Sequence, residues 1–175
     1  MQYRRALISN ATYFFTVNLL DRKKALLIKH IDQLRLAFHK VKLNHPFKTE
    51  AIVILPDHLH MLMTLPEQDA NYSQRWNLIK STFSRSIEKA ETISISRKSK
   101  RERGIWQRRF WEHLIRNEDD YEKHVNYIHY NPVKHGYVKN PIDWQYTSLH
   151  RYITKDILPA DWAAEMNKFD NGFGE

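Results

Sequence analysis

Two histidines separated by one residue form the first pattern that could do chemistry. His58 and His60 flank Leu59 within an apolar stretch of the chain. On an extended strand, side chains two residues apart point to the same face, so both imidazoles could bind one divalent ion. Two half-exposed histidines on a sheet would show the same pattern, and a chain with ten histidines can contain it by chance. The pair alone leaves both interpretations open.

A tyrosine and an asparagine four residues apart form the second pattern. Tyr127 and Asn131 lie in a segment that we predict to be helical, where this spacing places them on one face. Apolar residues occupy the opposite face, so we expect Tyr127 on the polar face. A tyrosine there would gain little stabilisation from burial, so a purely structural role would explain it poorly. Asn131 offers an amide oxygen, which suits a hard cation.

Together the two patterns predict phosphoryl-transfer chemistry. A metal ion on His58 and His60 would polarise a phosphodiester, and the phenolate of Tyr127 would attack the phosphorus. The products would be a covalent phosphotyrosine and a free 3′-hydroxyl. Because a tyrosine ordinarily has a pKa of about 10, a nearby cation must favour the phenolate, and Lys123 or the metal could do so.

Alternating runs of apolar residues predict the strands that position these groups. Residues 12–20 are rich in aromatic and β-branched side chains and read as a strand. Residues 47–65 read as two strands joined by a tight turn at Pro56 and Asp57, or as one strand interrupted there. Residues 110–115 are predicted to form a further strand. The histidine pair therefore lies on extended chain.

Three helices are predicted between and after these strands. Apolar residues recur at three- and four-residue spacings from Leu26 to about Asn44, and again after Ser73, the expected N-cap of the second helix. Asn117 is the expected N-cap of the third helix, and Pro132 its expected end. This third helix carries Tyr127.

The charge balance predicts a polyanionic partner. The chain has 175 residues and a formal net charge of +8, which attracts nucleic acid or an anionic membrane surface. Residues 94–109 hold seven of the basic side chains and are predicted to form a mobile loop, flanked by Trp106 and by Trp111, which we assign to the core. Trp106 could either pack or stack on a base. The residues expected to bind DNA are Arg75, Lys80, Arg85, Arg97, Lys98, Lys100, Arg101, Arg103, Trp106, Arg108, Arg109, Lys123, Lys134 and His135.

Composition also bounds the class and organisation of the protein. The chain has no cysteine, which excludes disulfides and thiolate metal sites. No apolar run is long enough to span a bilayer and the N-terminus does not look like a signal peptide, so we expect a cytoplasmic protein without membrane contact. We predict one domain over residues 1–155 and an acidic tail over residues 156–175, which could fold back over the basic groove.

The segments PDHLH, WQRRFWEH and VNYIHYNPVKHG resemble the HUH single-tyrosine transposases of bacterial insertion sequences, and most closely the REP-associated tyrosine transposases. The resemblance extends from about Tyr3 to Tyr152. It implies an α+β fold in which helices pack on an antiparallel sheet, similar to ferredoxin-like and RRM-like domains.

The resemblance also implies roles for individual residues. His58 and His60 match the family's paired metal ligands, Tyr127 matches its nucleophile, and the metal would be Mg²⁺ or Mn²⁺. Asn131 falls where related transposases place a glutamine, so it would bind the metal directly or through a water molecule. The implied partner is single-stranded DNA that forms hairpins, of the kind found in repetitive extragenic palindromes (REP). We expect a monomer, although family members also form dimers.

Two other interpretations of the same residues stay open. A His-x-His metallohydrolase would activate water and would not need Tyr127. A non-catalytic module for single-stranded nucleic acid would use only the basic segment and its aromatic residues.

Overall fold

The computed structural model describes residues 7–162. Four strands and six α-helices are present in this part of the chain. They are β1 (Thr12–Asn18), α1 (Leu26–Lys29), α2 (Ile31–Asn44), β2 (Lys48–Ile54), β3 (His58–Thr64), α3 (Tyr72–Ser86), α4 (Ile95–Ser99), β4 (Trp111–Leu114), α5 (Glu118–Lys134) and α6 (Leu149–Thr154). Short 3₁₀ turns span Arg22–Lys24 and Pro141–Asp143.

The four strands form one antiparallel sheet in the order β2-β3-β1-β4. Strands β2 and β3 make the predicted hairpin, with residues 55–57 as the connection. Thr16 in β1 lies opposite His60 on one side and Trp111 on the other. The predicted α+β class with an antiparallel sheet is therefore confirmed.

Both faces of the sheet are buried. On one face, Phe15, Leu59 and Met61 pack with residues of α2 and α3 such as Leu34 and Trp76. On the other face, Phe14, Val53 and Leu62 pack with Val125 and Ile128 of α5. Because side chains alternate along a strand, the histidines of β3 face α5 while Leu59 and Met61 face the opposite core.

Two of the predicted helix boundaries are wrong. The first helix is divided at His30, whose backbone leaves the helical conformation between α1 and α2. The N-cap of α3 is Asn71 rather than Ser73, because the Asn71 side chain accepts the Gln74 N–H at 2.9 Å. Asparagine is as good an N-cap as serine, and it lies at the true start of the helix.

Helix α5 begins as predicted and ends later than predicted. The Asn117 side chain accepts the Asp120 N–H at 2.9 Å, which confirms the N-cap. Pro132 lies inside the helix, which continues to Lys134. Pro132 cannot donate a backbone hydrogen bond, but it does not end the helix, and the chain turns away at Gly136, whose φ is +72°. The two extra residues place Lys134 one turn beyond Asn131.

The end of the described chain packs on α5. Leu158 contacts the core beneath α5, and the Trp162 ring lies 5.7 Å from the His129 ring. Residues 163–175, most of the predicted acidic tail, lie outside the described residues. Within the described part of the chain, no helix is both long and apolar enough to cross a bilayer.

Candidate active site

The paired histidines of β3 lie side by side beneath α5. His58 and His60 are both fully buried, so the half-exposed alternative is wrong. Their ring centroids are 5.0 Å apart and the rings are nearly perpendicular, at 84°. The alternation expected of a strand is confirmed, since both imidazoles point to the same face.

Each histidine is held by a neighbouring side chain. Asp57 Oδ1 lies 2.8 Å from His58 Nδ1, and Thr16 Oγ1 lies 2.9 Å from His60 Nδ1. Such partners fix the orientation and tautomer of metal-binding imidazoles. Asp57 could have been found from its place beside His58 in the sequence. Thr16 could not, because only the β1–β3 pairing brings it to His60.

Asp57 is ionised in this site. Burial alone would raise the pKa of Asp57, but hydrogen bonds from His58 and Arg22 outweigh it, and the pKa falls to about 2. Arg22 also forms an ion pair with the same carboxylate. An ionised Asp57 accepts the Nδ1 proton of His58, which leaves the lone pair of His58 on Nε2.

The residues present fit a divalent ion. His58 Nε2 is buried and has no hydrogen-bond partner among residues 7–162. A buried polar atom without a partner is costly unless something binds it. Imidazole nitrogens together with an amide oxygen suit a divalent metal, and Asn131 lies fully buried on α5, one turn after Tyr127.

Tyr127 is buried against the histidines rather than exposed. Only 2% of its surface is accessible, and its ring lies 5.2 Å from His60 and 6.0 Å from Phe14. The expectation of an exposed tyrosine is wrong because this face of α5 packs on the sheet. The sheet carries polar side chains at this place, among them Thr16, so polar residues face each other across the interface.

The cation beside the phenol is Lys134. Its Nζ donates a hydrogen bond to Tyr127 Oη at 3.2 Å and lies 4.9 Å from the ring centroid. Lys123, the residue predicted for this role, has an exposed side chain. Lys134 has this role instead because α5 continues past Pro132, and Lys134, two turns after Tyr127, lies on the same face of the helix.

His135 lies beside the paired histidines. Its ring centroid is 5.0 Å from that of His58, with the rings at 68°. The sequence pattern assigned His135 to DNA contact, and the structure places it next to the candidate metal site.

Several residues of the predicted DNA surface are structural. Arg75 is 1% exposed and donates to the Pro46 carbonyl oxygen at 2.8 Å, so its predicted exposure is wrong. Arg103 is bound by Glu91 at 2.5 Å and by carbonyl oxygens at the end of α3. Trp106 is 7% exposed and packs on Phe83. The predicted loop is thereby fastened to α3 and contains α4.

An open cationic groove remains between α3 and the basic segment. It has a volume of about 450 Å³ and its basic lining residues include Lys80, Arg85, Lys100, Arg101 and Arg108. Lys98 and Arg109 are exposed nearby along the chain, and Arg97 is turned inward to Glu102. Arg97 and Arg103 also line this surface, which we call the cationic groove.

A second cluster of titratable groups lies at the start of α5. Ligand atoms of His113, Asp120 and His124 all lie within 4.8 Å of one another. However, His124 Nδ1 donates to the Asp120 carbonyl oxygen at 2.7 Å, and the two imidazoles stack at 15°. The in-plane lone pairs of stacked rings cannot converge on one ion, so this cluster clamps α5 to β4.

Comparison with known proteins gives the class. The family model for IS200-like transposases matches residues 8–131, and the chain belongs to that family. Within it, the chain groups with the REP-associated tyrosine transposases. It is 48% identical over 161 residues to a Haemophilus influenzae protein assigned to them, covering 91% of this chain and 92% of that protein. It is 43% identical over 171 residues to the REP-associated tyrosine transposase of Escherichia coli, covering 98% and 96% of the two chains.

A solved structure supports the same assignment. A REP-associated tyrosine transposase bound to a REP hairpin superimposes with a TM-score of 0.85 and 43% sequence identity, covering 100% of this chain and 97% of that chain. The fold and the enzyme class expected from the sequence motifs are confirmed.

Proposed function

We propose that this protein is a metal-dependent strand transferase that cuts and rejoins single-stranded DNA through a covalent phosphotyrosine at Tyr127. The carrying observation is the position of the phenol. It lies between the ammonium of Lys134, at 3.2 Å, and the ring of His60, at 5.2 Å between centroids. A tyrosine that contacts both a cation and a candidate metal ligand supports a role as the nucleophile that attacks a phosphodiester.

The cleavage step is an in-line displacement at phosphorus. The phenolate oxygen of Tyr127 forms the new bond to phosphorus, and the bond from phosphorus to the 3′ oxygen breaks. The leaving oxygen takes up a proton and departs as a 3′-hydroxyl, while the 5′ phosphate stays on Tyr127. Lys134 stabilises the phenolate by its charge and its hydrogen bond. Attack by a 3′-hydroxyl on the phosphotyrosine reverses these changes and rejoins the strand.

We infer that Mg²⁺ or Mn²⁺ is held by His58, His60 and Asn131. The bound ion would polarise the scissile phosphate and offset the charge that develops on it. Asp57 and Thr16 contact the Nδ1 atoms of His58 and His60, which leaves the two Nε2 atoms to bind the ion. Asn131 carries one methylene fewer than glutamine, so a water molecule could bridge it to the ion.

The substrate that the site and the relatives favour is a DNA hairpin with single-stranded flanks. One relative of known structure is bound to a REP hairpin. The cationic groove of this chain offers several exposed guanidinium and ammonium groups for phosphates. We propose a REP-like hairpin as the substrate and a monomer as the acting species.

A cleavage assay separates this proposal from its two competitors. The intact protein, Tyr127→Phe and His58→Ala would each be incubated with a hairpin oligonucleotide and Mn²⁺, then analysed by denaturing electrophoresis. We expect a protein–DNA adduct only with the intact protein, and none when the metal is chelated. Cleavage that persists in Tyr127→Phe would instead indicate a metallohydrolase. Tight binding without any cleavage by the intact protein would indicate a binding module.

A further inference from the structure

Two aromatic side chains are exposed in the described part of the chain. Among the Trp, Tyr and Phe residues within 7–162, only Trp111 and Tyr137 are classed as exposed, at 36% and 44%. Isolated exposed rings are common on protein surfaces. The positions of these two relative to Tyr127, rather than their exposure, give them significance.

Trp111 lies on one side of the site. Trp111 on β4 pairs with Thr16 on β1, and Thr16 pairs on its other side with His60 on β3. Trp111 and His60 are therefore separated by two strand spacings of about 4.8 Å each. The Trp111 ring meets Phe14 edge-on at 5.7 Å, and Phe14 in turn contacts Tyr127 at 6.0 Å. Because β4 is an edge strand of this sheet, Trp111 has no neighbouring strand on its outer side.

Tyr137 lies near the site through a second series of ring contacts. Its ring centroid is 6.2 Å from His135, and His135 is 5.0 Å from His58. Each exposed ring is also supported from behind by another ring. His113 stacks on Trp111 at 5.9 Å and 5°, and Trp144 lies 5.3 Å from Tyr137. The two exposed rings are therefore held in place. A continuous series of ring contacts joins them through Phe14, Tyr127, His60, His58 and His135.

We propose that Trp111 and Tyr137 each stack on one unpaired base, on opposite sides of the phosphodiester that Tyr127 attacks. This inference rests on the proposed function. Stacking of bases on aromatic side chains is a general means of binding single-stranded nucleic acid. Two such contacts would hold the nucleotides flanking the scissile bond and stretch the phosphate between them across His58 and His60.

The proposal assigns a different nucleotide to each ring. In this arrangement, Trp111 and Tyr137 are positioning residues that bind the substrate without taking part in bond making or breaking. Their removal should weaken binding of the flanking bases and misplace the phosphate.

An abasic scan combined with substitution tests the assignment. Binding would be measured in the Tyr127→Phe background, so that no cleavage occurs, with hairpin oligonucleotides lacking one base at a time near the cleavage point. We expect affinity to drop roughly tenfold at two positions, one on each side of the cleaved bond. Trp111→Leu should abolish the penalty at one position and Tyr137→Leu at the other.

Matched variants keep the test independent of folding and of the proposed function. Trp111→Phe and Tyr137→Phe retain a ring and should retain the penalties. If both leucine variants keep the two penalties of the parent, the stacking proposal is overturned. The proposed function is tested separately, because adduct formation by the otherwise intact protein shows whether Tyr127 reacts at all.

Discussion

The proposed reactivity of Tyr127 depends on its immediate neighbours. Lys134 Nζ donates a hydrogen bond to the phenol oxygen at 3.2 Å. The ring is wedged between His60 and Phe14. A buried phenolate without a compensating charge would be strongly disfavoured, so we propose that the ammonium group of Lys134 contributes much of the activation.

Replacement of Lys134 should slow the reaction without removing the nucleophile. Lys134→Gln is expected to lower the single-turnover rate of adduct formation roughly tenfold to a hundredfold, since hydrogen bonds to charged groups contribute about 1.5–3 kcal/mol. Lys123→Gln is the matched control on the same helix and should react at the parent rate. Equal loss in both variants would show that general DNA affinity, not phenol activation, is affected.

Asp57 should govern metal affinity through His58. In Asp57→Asn, the carboxylate that accepts the Nδ1 proton at 2.8 Å is lost, and we expect apparent Mn²⁺ affinity to fall roughly tenfold to a hundredfold. The measurement is adduct yield against Mn²⁺ concentration. Asp32→Asn, which changes an exposed carboxylate on α2, should leave the curve unchanged. An unchanged dependence of adduct yield on Mn²⁺ concentration in Asp57→Asn would show that Asp57 does not support metal binding.

Arg103 fastens the basic segment, residues 94–109, to the end of α3 and to the residues that follow it. Glu91 binds Arg103, and Arg103 also binds carbonyl oxygens at the end of α3. The hydrogen bond from Arg103 is the main reason that the pKa of Glu91 falls to about 2, although burial opposes it. This contact shapes one wall of the cationic groove, which includes Arg103 itself.

The Glu91 contact predicts a loss of stability in acid. Because the folded-state pKa of Glu91 is below the unfolded value of 4.5, its contribution is present above about pH 4.5 and is lost as the pH falls towards 2. Urea unfolding at pH 5 and pH 3 should show a larger loss for the parent than for Glu91→Gln. The other carboxylates with lowered pKa values, such as Asp69, affect both proteins alike. Identical losses in the two proteins would contradict the assignment.

The elements were more predictable than the faces that they present. Periodicity located the strands of the sheet and the start of α5, because apolar spacing and capping are local signals. It misplaced Arg75, Trp111 and Tyr127, whose exposure depends on which element packs against them. Trp111 was assigned to the core and is 36% exposed on an edge strand. The family motifs predicted the roles of His58, His60 and Tyr127, which stay predictions, but gave no indication of Thr16 or of the contact from Lys134.

At the scale of the whole molecule, the net charge of +8 is divided between structural and available cations. Arg75 and Arg103 are used in internal contacts. Lys100, Arg101 and Arg108 are exposed at the cationic groove. We expect the exposed cations to determine DNA affinity and the internal cations to affect the free energy of unfolding.

Salt dependence distinguishes the two sets. Replacing both Lys100 and Arg101 with Ala should reduce the slope of log affinity against log salt by about 1.4 to 1.8, because each phosphate contact contributes about 0.7 to 0.9. Replacing Lys29 and Lys40, which are exposed near α2, with Ala removes equal charge and should change the slope little. Equal changes of this slope in both double variants would mean that DNA affinity depends only on the net charge of the protein.

Peptide mapping by mass spectrometry would show directly whether a covalent bond forms between DNA and Tyr127. The protein would be reacted with a hairpin oligonucleotide and Mn²⁺, digested with nuclease and protease, and searched for a nucleotide-modified peptide. We predict the modification on Tyr127, in the peptide that also contains Asn126 and Ile128. A modification on Tyr121 or Tyr130 instead, or cleaved DNA with no modified peptide, would contradict the mechanism.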